Sequence, residues 1–305
     1  QNDVIVLFSD AAEIGLLGSE AFMEHPWSED VGLVLNLTAR GSSGPVVLNE
    51  TSRNNGWLIQ QFGTAVRRPI ANSFISDIYR WLSGESDFNV YNQARIPGLN
   101  FSFLENGRGY ATMLDNLERL DVRSIAQQGE YIYALVNHFG NQDLTEIKQT
   151  DRIYFDLFGR TLISYPMEWV AHLLTIVLVS AGYLVWHAYK KEKITIKGVG
   201  IGLLLLSTAG FATIVITSIV AKFIVPSHSL YQYIPLNGGT WHFAGLISLT
   251  CAIFMVIYGF AFKKYSMIDL SIGAQVGWVL GSVGISLFLP GASYFFLIPL
   301  LFSLA

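Results

Sequence analysis

Hydrophobic positions follow two regimes along the chain. Up to residue 148, short apolar runs alternate with stretches whose apolar residues recur at helical spacing; after residue 165 the apolar positions become nearly continuous. Residues 4–8 and 31–37 are rich in Val, Ile and Leu and predict strands buried on both faces. Between them, residues 13–23 place Ile14, Leu17, Ala21 and Phe22 on one helical face. Residues 45–48 and 99–104 predict further strands. Residues 56–62, 73–82 and 124–139 predict amphipathic helices, the last with a stripe of Ile125, Tyr131, Ile132 and Leu135. This alternation predicts a layered α/β domain over residues 1–148. Residues 149–168 read as a linker, and the aromatic stretch 153–158 fits either a juxtamembrane helix or a packed linker.

A bilayer-spanning helix needs about 20 apolar residues. Segments 169–189, 199–225, 241–262 and 267–289 meet that length, so residues 169–305 predict a multi-span α-helical membrane domain with the lipid bilayer as partner. Residues 292–305 are apolar but too short to span and read as the start of a fifth helix. Lys190, Lys191, Lys193 and Lys197 lie between the first two spans, and Lys263 and Lys264 between the last two. Residues 226–240 hold no Lys, Arg, Asp or Glu. The positive-inside rule then puts the lysine loops in the cytoplasm and the α/β domain on the extracytoplasmic side, whether periplasmic, extracellular or luminal.

Composition agrees with this division. Of 305 residues, 51% are hydrophobic and 14% charged, against about 25% charged in soluble domains. A net charge of −4 and the lack of any large Lys/Arg cluster argue against nucleic acid as a partner. Cys251, the single cysteine, lies inside an apolar span, which excludes a disulfide framework and a thiolate metal site. The chain opens on Gln1, three positions before the start of an expected core strand, and reads as the C-terminal part of a longer protein.

Candidate chemistry centres on Asp10-Ala11-Ala12-Glu13-Ile14-Gly15-Leu16-Leu17-Gly18, directly after the first apolar run. Three further segments follow in order: Asn36-Leu37-Thr38-Ala39-Arg40-Gly41; Ser86-Asp87-Phe88 leading to Ile96-Pro97-Gly98-Leu99-Asn100-Phe101; and Tyr110-Ala111-Thr112 with Asp115, Asp121 and Gly129-Glu130-Tyr131. In open α/β sheets, ligands gather at the carboxyl ends of strands, where the expected strands place residues 10–13, Thr38 and residue 111.

These four segments resemble the zinc exopeptidases that include bacterial leucyl aminopeptidases, metallopeptidase family M28. The resemblance is in particular to their membrane-tethered endoplasmic-reticulum metallopeptidase and vacuolar membrane protease branch, and it covers about residues 1–165. It implies a three-layer α/β fold, two zinc ions as cofactor, and removal of N-terminal residues from a peptide or protein substrate. The first segment is similar to the family's Asp-x-Glu-Glu-x-Gly-Leu-x-Gly turn, in which one glutamate is the general base and the next a zinc ligand. Glu13 matches the ligand, while Ala12 stands at the base. Thr38 stands where the family has a carboxylate ligand, and Ala111 where it has a histidine. The remaining family ligands would lie upstream of Gln1.

Alanine offers zinc no donor, and a neutral threonine hydroxyl is a poor one. The expectation is therefore a chain with no intact catalytic residue and no bound zinc: a pseudoenzyme that binds a peptide or partner protein at the membrane. Asp10, Arg40, Asp87, Tyr110 and Asp115 are candidates to line the site. For Asp87 and Asp115 the alternative is structural hydrogen bonding; for Arg40 it is pairing with an acid of its own domain. The six histidines show no ligand spacing, and the sequons at Asn36 and Asn100 fall in or beside strands. Acidic residues are nearly absent from the spans, which speaks against a transport role.

Overall fold

A computed structural model describes residues 1–82, 86–110, 112–224 and 239–304. It forms two compact units, one of residues 1–169 with 290–292 and the other of residues 170–289 with 293–305.

In the first unit, α1 (Leu17–Met23) leads to β1 (Val34–Ala39) and β2 (Val47–Thr51). Helices α2 (Gly56–Ala65), α3 (Ser73–Leu82) and α4 (Asp87–Gln93) follow, then β3 (Gly98–Phe103) and α5 (Val122–Phe139). The sheet order is β1-β3-β2, with β3 parallel to β1 and antiparallel to β2. Every residue of β3 is buried, as its central place demands. Alternation sends Leu99, Phe101 and Phe103 into one core with Leu58, Ile59 and Phe62 of α2 and Tyr131 and Leu135 of α5. There Phe62, Phe101 and Tyr131 pack with ring centroids 5.6–6.0 Å apart. The other face carries Gly98 and Asn100. A Cβ at Gly98 would sit 2.7 Å from the Phe88 ring, so glycine lets α4 lie directly on the sheet. Helices thus cover both faces.

Two expectations are corrected. Residues 4–8 have no regular secondary structure and lie outside both sheets, with Phe8 93% exposed; a β-strand is defined by a paired neighbour, and none lies alongside among the described residues. Residues 152–166, read as linker or helix, form a hairpin of β4 (Arg152–Leu157) and β5 (Thr161–Pro166) inside the first unit. Phe158 and Gly159 both take positive φ at its tip, as tight hairpin turns require, and Asp156 accepts from the Gly159 N–H at 2.8 Å. A helical reading of the aromatic stretch misses this turn.

The second unit contains α6 (Trp169–Lys190), α7 (Ile196–Ile224), α8 (Gly239–Ala261), α9 (Met267–Phe288) and the short α10 (Tyr294–Leu304). The first four are long and apolar enough to cross a membrane and lie within a few residues of the expected spans. Residues 225–238, most of the uncharged loop, lie outside the described residues. Helices α7 and α9 meet through small residues. A Cβ on Gly202 would sit 2.7 Å from the Leu270 carbonyl and 3.0 Å from the Gly273 Cα, the close approach that glycine stripes give membrane helices. Asp269 of α9 is buried and accepts from the Thr195 N–H at 2.9 Å and the Thr195 hydroxyl at 3.0 Å, tying down the α6–α7 turn.

Candidate functional site

The turn between residues 4–8 and α1 is built on unusual backbone. Ala11 and Leu16 take left-handed conformations at φ 61° and 60°, and Gly15 sits at φ 113°. Such positions cost non-glycine residues on the order of 1 kcal/mol or more each and persist only when surroundings enforce them. Asp87 supplies much of that enforcement. Its carboxylate accepts from the Ser9 hydroxyl at 2.7 Å and the buried Ser19 hydroxyl at 2.8 Å, joining the turn and α1 to α4. Gly18 completes the fold-back: its N–H donates to the Asp10 carbonyl at 3.1 Å, and a Cβ there would lie 2.6 Å from that oxygen. Asp87 therefore carries the structural role, while the Asp10 carboxylate accepts from the adjoining Ala11 N–H at 2.7 Å.

The turn presents Glu13 to the loop after β3. Tyr110 donates its phenol proton to Glu13 Oε1 at 2.7 Å, joining two expected site residues 97 positions apart. Burial, the Glu13 hydrogen bond and the Glu13 charge raise the Tyr110 pKa; Arg40 pulls it down and Asp115 adds to the rise. Glu13, Tyr110, Arg40 and Asp115 thus share one electrostatic neighbourhood. Ala12 is exposed beside Glu13 and offers only backbone, its carbonyl accepting from Leu16 N–H at 3.2 Å. Thr38 lies near the carboxyl end of β1, as expected, and its carbonyl accepts from Gln128 Nε2 at 3.1 Å. Residue 111 lies outside the described residues.

Behind the site runs a polar chain that sequence reasoning missed. Asn36 of β1 donates to Asn100 of β3 at 2.8 Å, and Asn100 donates to Glu50 of β2 at 3.3 Å. Glu50 is buried, which raises its pKa against the opposing pull of Asn100, Arg80 and Arg40. The signal was there: three polar residues on strands otherwise reading as core. Asn36 and Asn100 stand in the sequence reading as motif positions and sequons, not as hydrogen-bond partners of each other.

Among the described residues, no three His, Cys, Asp or Glu side chains cluster as metal ligands. Glu13 stands as the lone carboxylate among the matched positions described, with one oxygen engaged by Tyr110.

Residues 1–136 match the model described as Peptidase family M28. This stretch is similar to that family. Its relatives are those of the membrane-tethered branch. Endoplasmic reticulum metallopeptidase 1 of Mus musculus is 30% identical over 189 residues, 59% of this chain and 21% of that protein. Putative endoplasmic reticulum metallopeptidase 1-B of Caenorhabditis elegans is 29% identical over 259 residues, 81% of this chain and 28% of the relative. Vacuolar membrane protease of Candida dubliniensis is 26% identical over 262 residues, covering 78% and 28%. The chain spans 21–28% of the length of these relatives. No solved structure matches significantly. Four helices of membrane-crossing length, with relatives that include a vacuolar membrane protease, make this an integral membrane protein.

Proposed function

We propose that this protein is a membrane-held relative of the M28 metallopeptidases whose α/β unit binds a peptide or partner protein without hydrolysing it. One observation carries the reading: the strained turn is intact and presents Glu13, but the adjoining position that should act as base is the methyl of Ala12. Loss of a general base alone lowers rates by about 10²–10⁴-fold. With Thr38 at a second matched position, the site lacks the ligands that would hold a metal-bound water. What remains is an exposed carboxylate with a phenol on one oxygen, suited to polar contacts with a peptide, in a neighbourhood where the Arg40 charge is felt. The lysine pattern supports an extracytoplasmic α/β unit, with the 190–197 and 263–264 loops in the cytoplasm.

The test is restoration in the natural full-length protein. Unaltered protein is expected to hold no stoichiometric zinc by elemental analysis and to release no N-terminal residues from peptides. Ala12→Glu, Thr38→Glu and Ala111→His together are expected to bring zinc-dependent release, with strongly non-additive gains because the base acts on metal-bound water. Zinc-dependent cleavage by the unaltered protein would overturn the reading. A folded triple variant that takes up no zinc would show that these positions are not the metal site.

A further inference from the structure

We propose that the membrane unit carries a preformed groove for one anionic phospholipid, with an acyl chain lying along α6 and the phosphate held by the lysines at the end of that helix. The groove encloses 480 Å³ between α6, the start of α7 and α9. Its α6 wall runs from Leu178 to Tyr189, about 16 Å at 1.5 Å per residue. Ala181, Gly182 and Val185 face Val276 and Val279 of α9 across it. These walls are hydrocarbon and lie within helices of membrane-crossing length, so the occupant must itself be hydrocarbon over most of its length.

The space is built into the unit. A Cβ added at Gly182 would meet no atom within 4 Å. At one end of the groove, Ile194 and Ile196 flank Thr195, which Asp269 holds through two hydrogen bonds, so that end keeps its shape.

Charge names the occupant. Trp186 and Tyr189 line the same end, and such aromatic residues favour headgroup depth. Lys190 sits with Nζ 4.7 Å from the centroid of the Trp186 ring, at the rim of the wall. Lys191, Lys193 and Lys197 follow, so four lysines stand against two acids at this end, Glu192 and the Asp269 that holds Thr195. Basic residues at the end of an apolar cleft between membrane helices are the arrangement that takes a lipid phosphate. A zwitterionic lipid would gain less, because its own cation offsets the lysines.

The experiment uses the full chain reconstituted in vesicles whose acyl chains carry bromine, which quenches tryptophan fluorescence on contact. The Trp186 signal is the difference between the unaltered protein and Trp186→Phe. Brominated phosphatidylglycerol is expected to quench it at about five-fold lower mole fraction than brominated phosphatidylcholine, a preference on the order of one lysine contact. Lys190→Gln with Lys193→Gln should bring the ratio close to one. Gly182→Leu, which enters open space, should bring the two lipids to equal quenching of the half-exposed Trp186 while leaving thermal melting unchanged. Equal quenching by the two lipids in the unaltered protein would overturn the proposal. So would a retained preference in Gly182→Leu, or absent quenching together with cross-links between copies through residue 182, which would mean that a second copy occupies the groove.

Discussion

Glu50 and Asp87 are two carboxylates in one unit whose surroundings push them toward different uses. Burial raises the Glu50 pKa above 4.5, so the folded state binds its proton more tightly than the unfolded chain does. Between 4.5 and the folded value the folded state carries more protons, and stability falls as pH rises through that window. Glu50→Gln keeps an acceptor for Asn100 and removes the titration. Thermal melting of the purified chain should show no change below pH 4.5 and a higher midpoint near neutrality; a lower midpoint there would mean the ionised carboxylate is itself stabilising. Asp87 instead joins three segments through Ser9 and Ser19. Its replacement in Asp87→Ala should cost about 2 kcal/mol, within the range for hydrogen bonds to charged groups. That corresponds to a drop of about 5 °C in melting temperature for a unit of this size. Asp87→Asn, which keeps one acceptor, should lose less. An unchanged midpoint in both variants would remove Asp87 from its clamping role.

Among elements, what was legible followed the kind of partner each needs. The four long helices were readable because apolar length alone defines a membrane-crossing helix, and α3 because its polar and apolar faces fall at helical period. Residues 4–8 were misread because an apolar run specifies burial, whereas a strand also needs a neighbour's backbone. The β4–β5 hairpin was missed because its signal is a two-residue turn at Phe158-Gly159, not a periodicity. Of the site, the Asp10–Gly18 frame rests on the family resemblance, and the place of Thr38 on the expected end of a strand. The Tyr110–Glu13 bond could not be read, since it spans 97 positions. The α7–α9 seam yields a prediction of the same kind. Gly273→Leu should force the helices apart and cost about 1–3 kcal/mol as an overpacked contact. Gly284→Leu, where a Cβ meets nothing within 4 Å, should be near neutral. Equal melting of the two variants in detergent would contradict the close seam.

For the whole molecule, the lysine asymmetry makes sidedness measurable. With Cys251 replaced by serine, a cysteine at Lys193 should react with a membrane-impermeant thiol reagent only after the membrane is opened. One at Asp115 should react without opening it. Reaction at Lys193 in sealed membranes would reverse the proposed topology. The Asp10–Gly18 turn has a different consequence at this scale. Its shape is set by Ala11, Gly15, Leu16 and Gly18 and held by Asp87, while Ala12 contributes only main-chain atoms. On the proposed reading, a glutamate could be exchanged for alanine at position 12 with every main-chain hydrogen bond of the turn still in place, so chemistry could be lost there without the fold being lost with it.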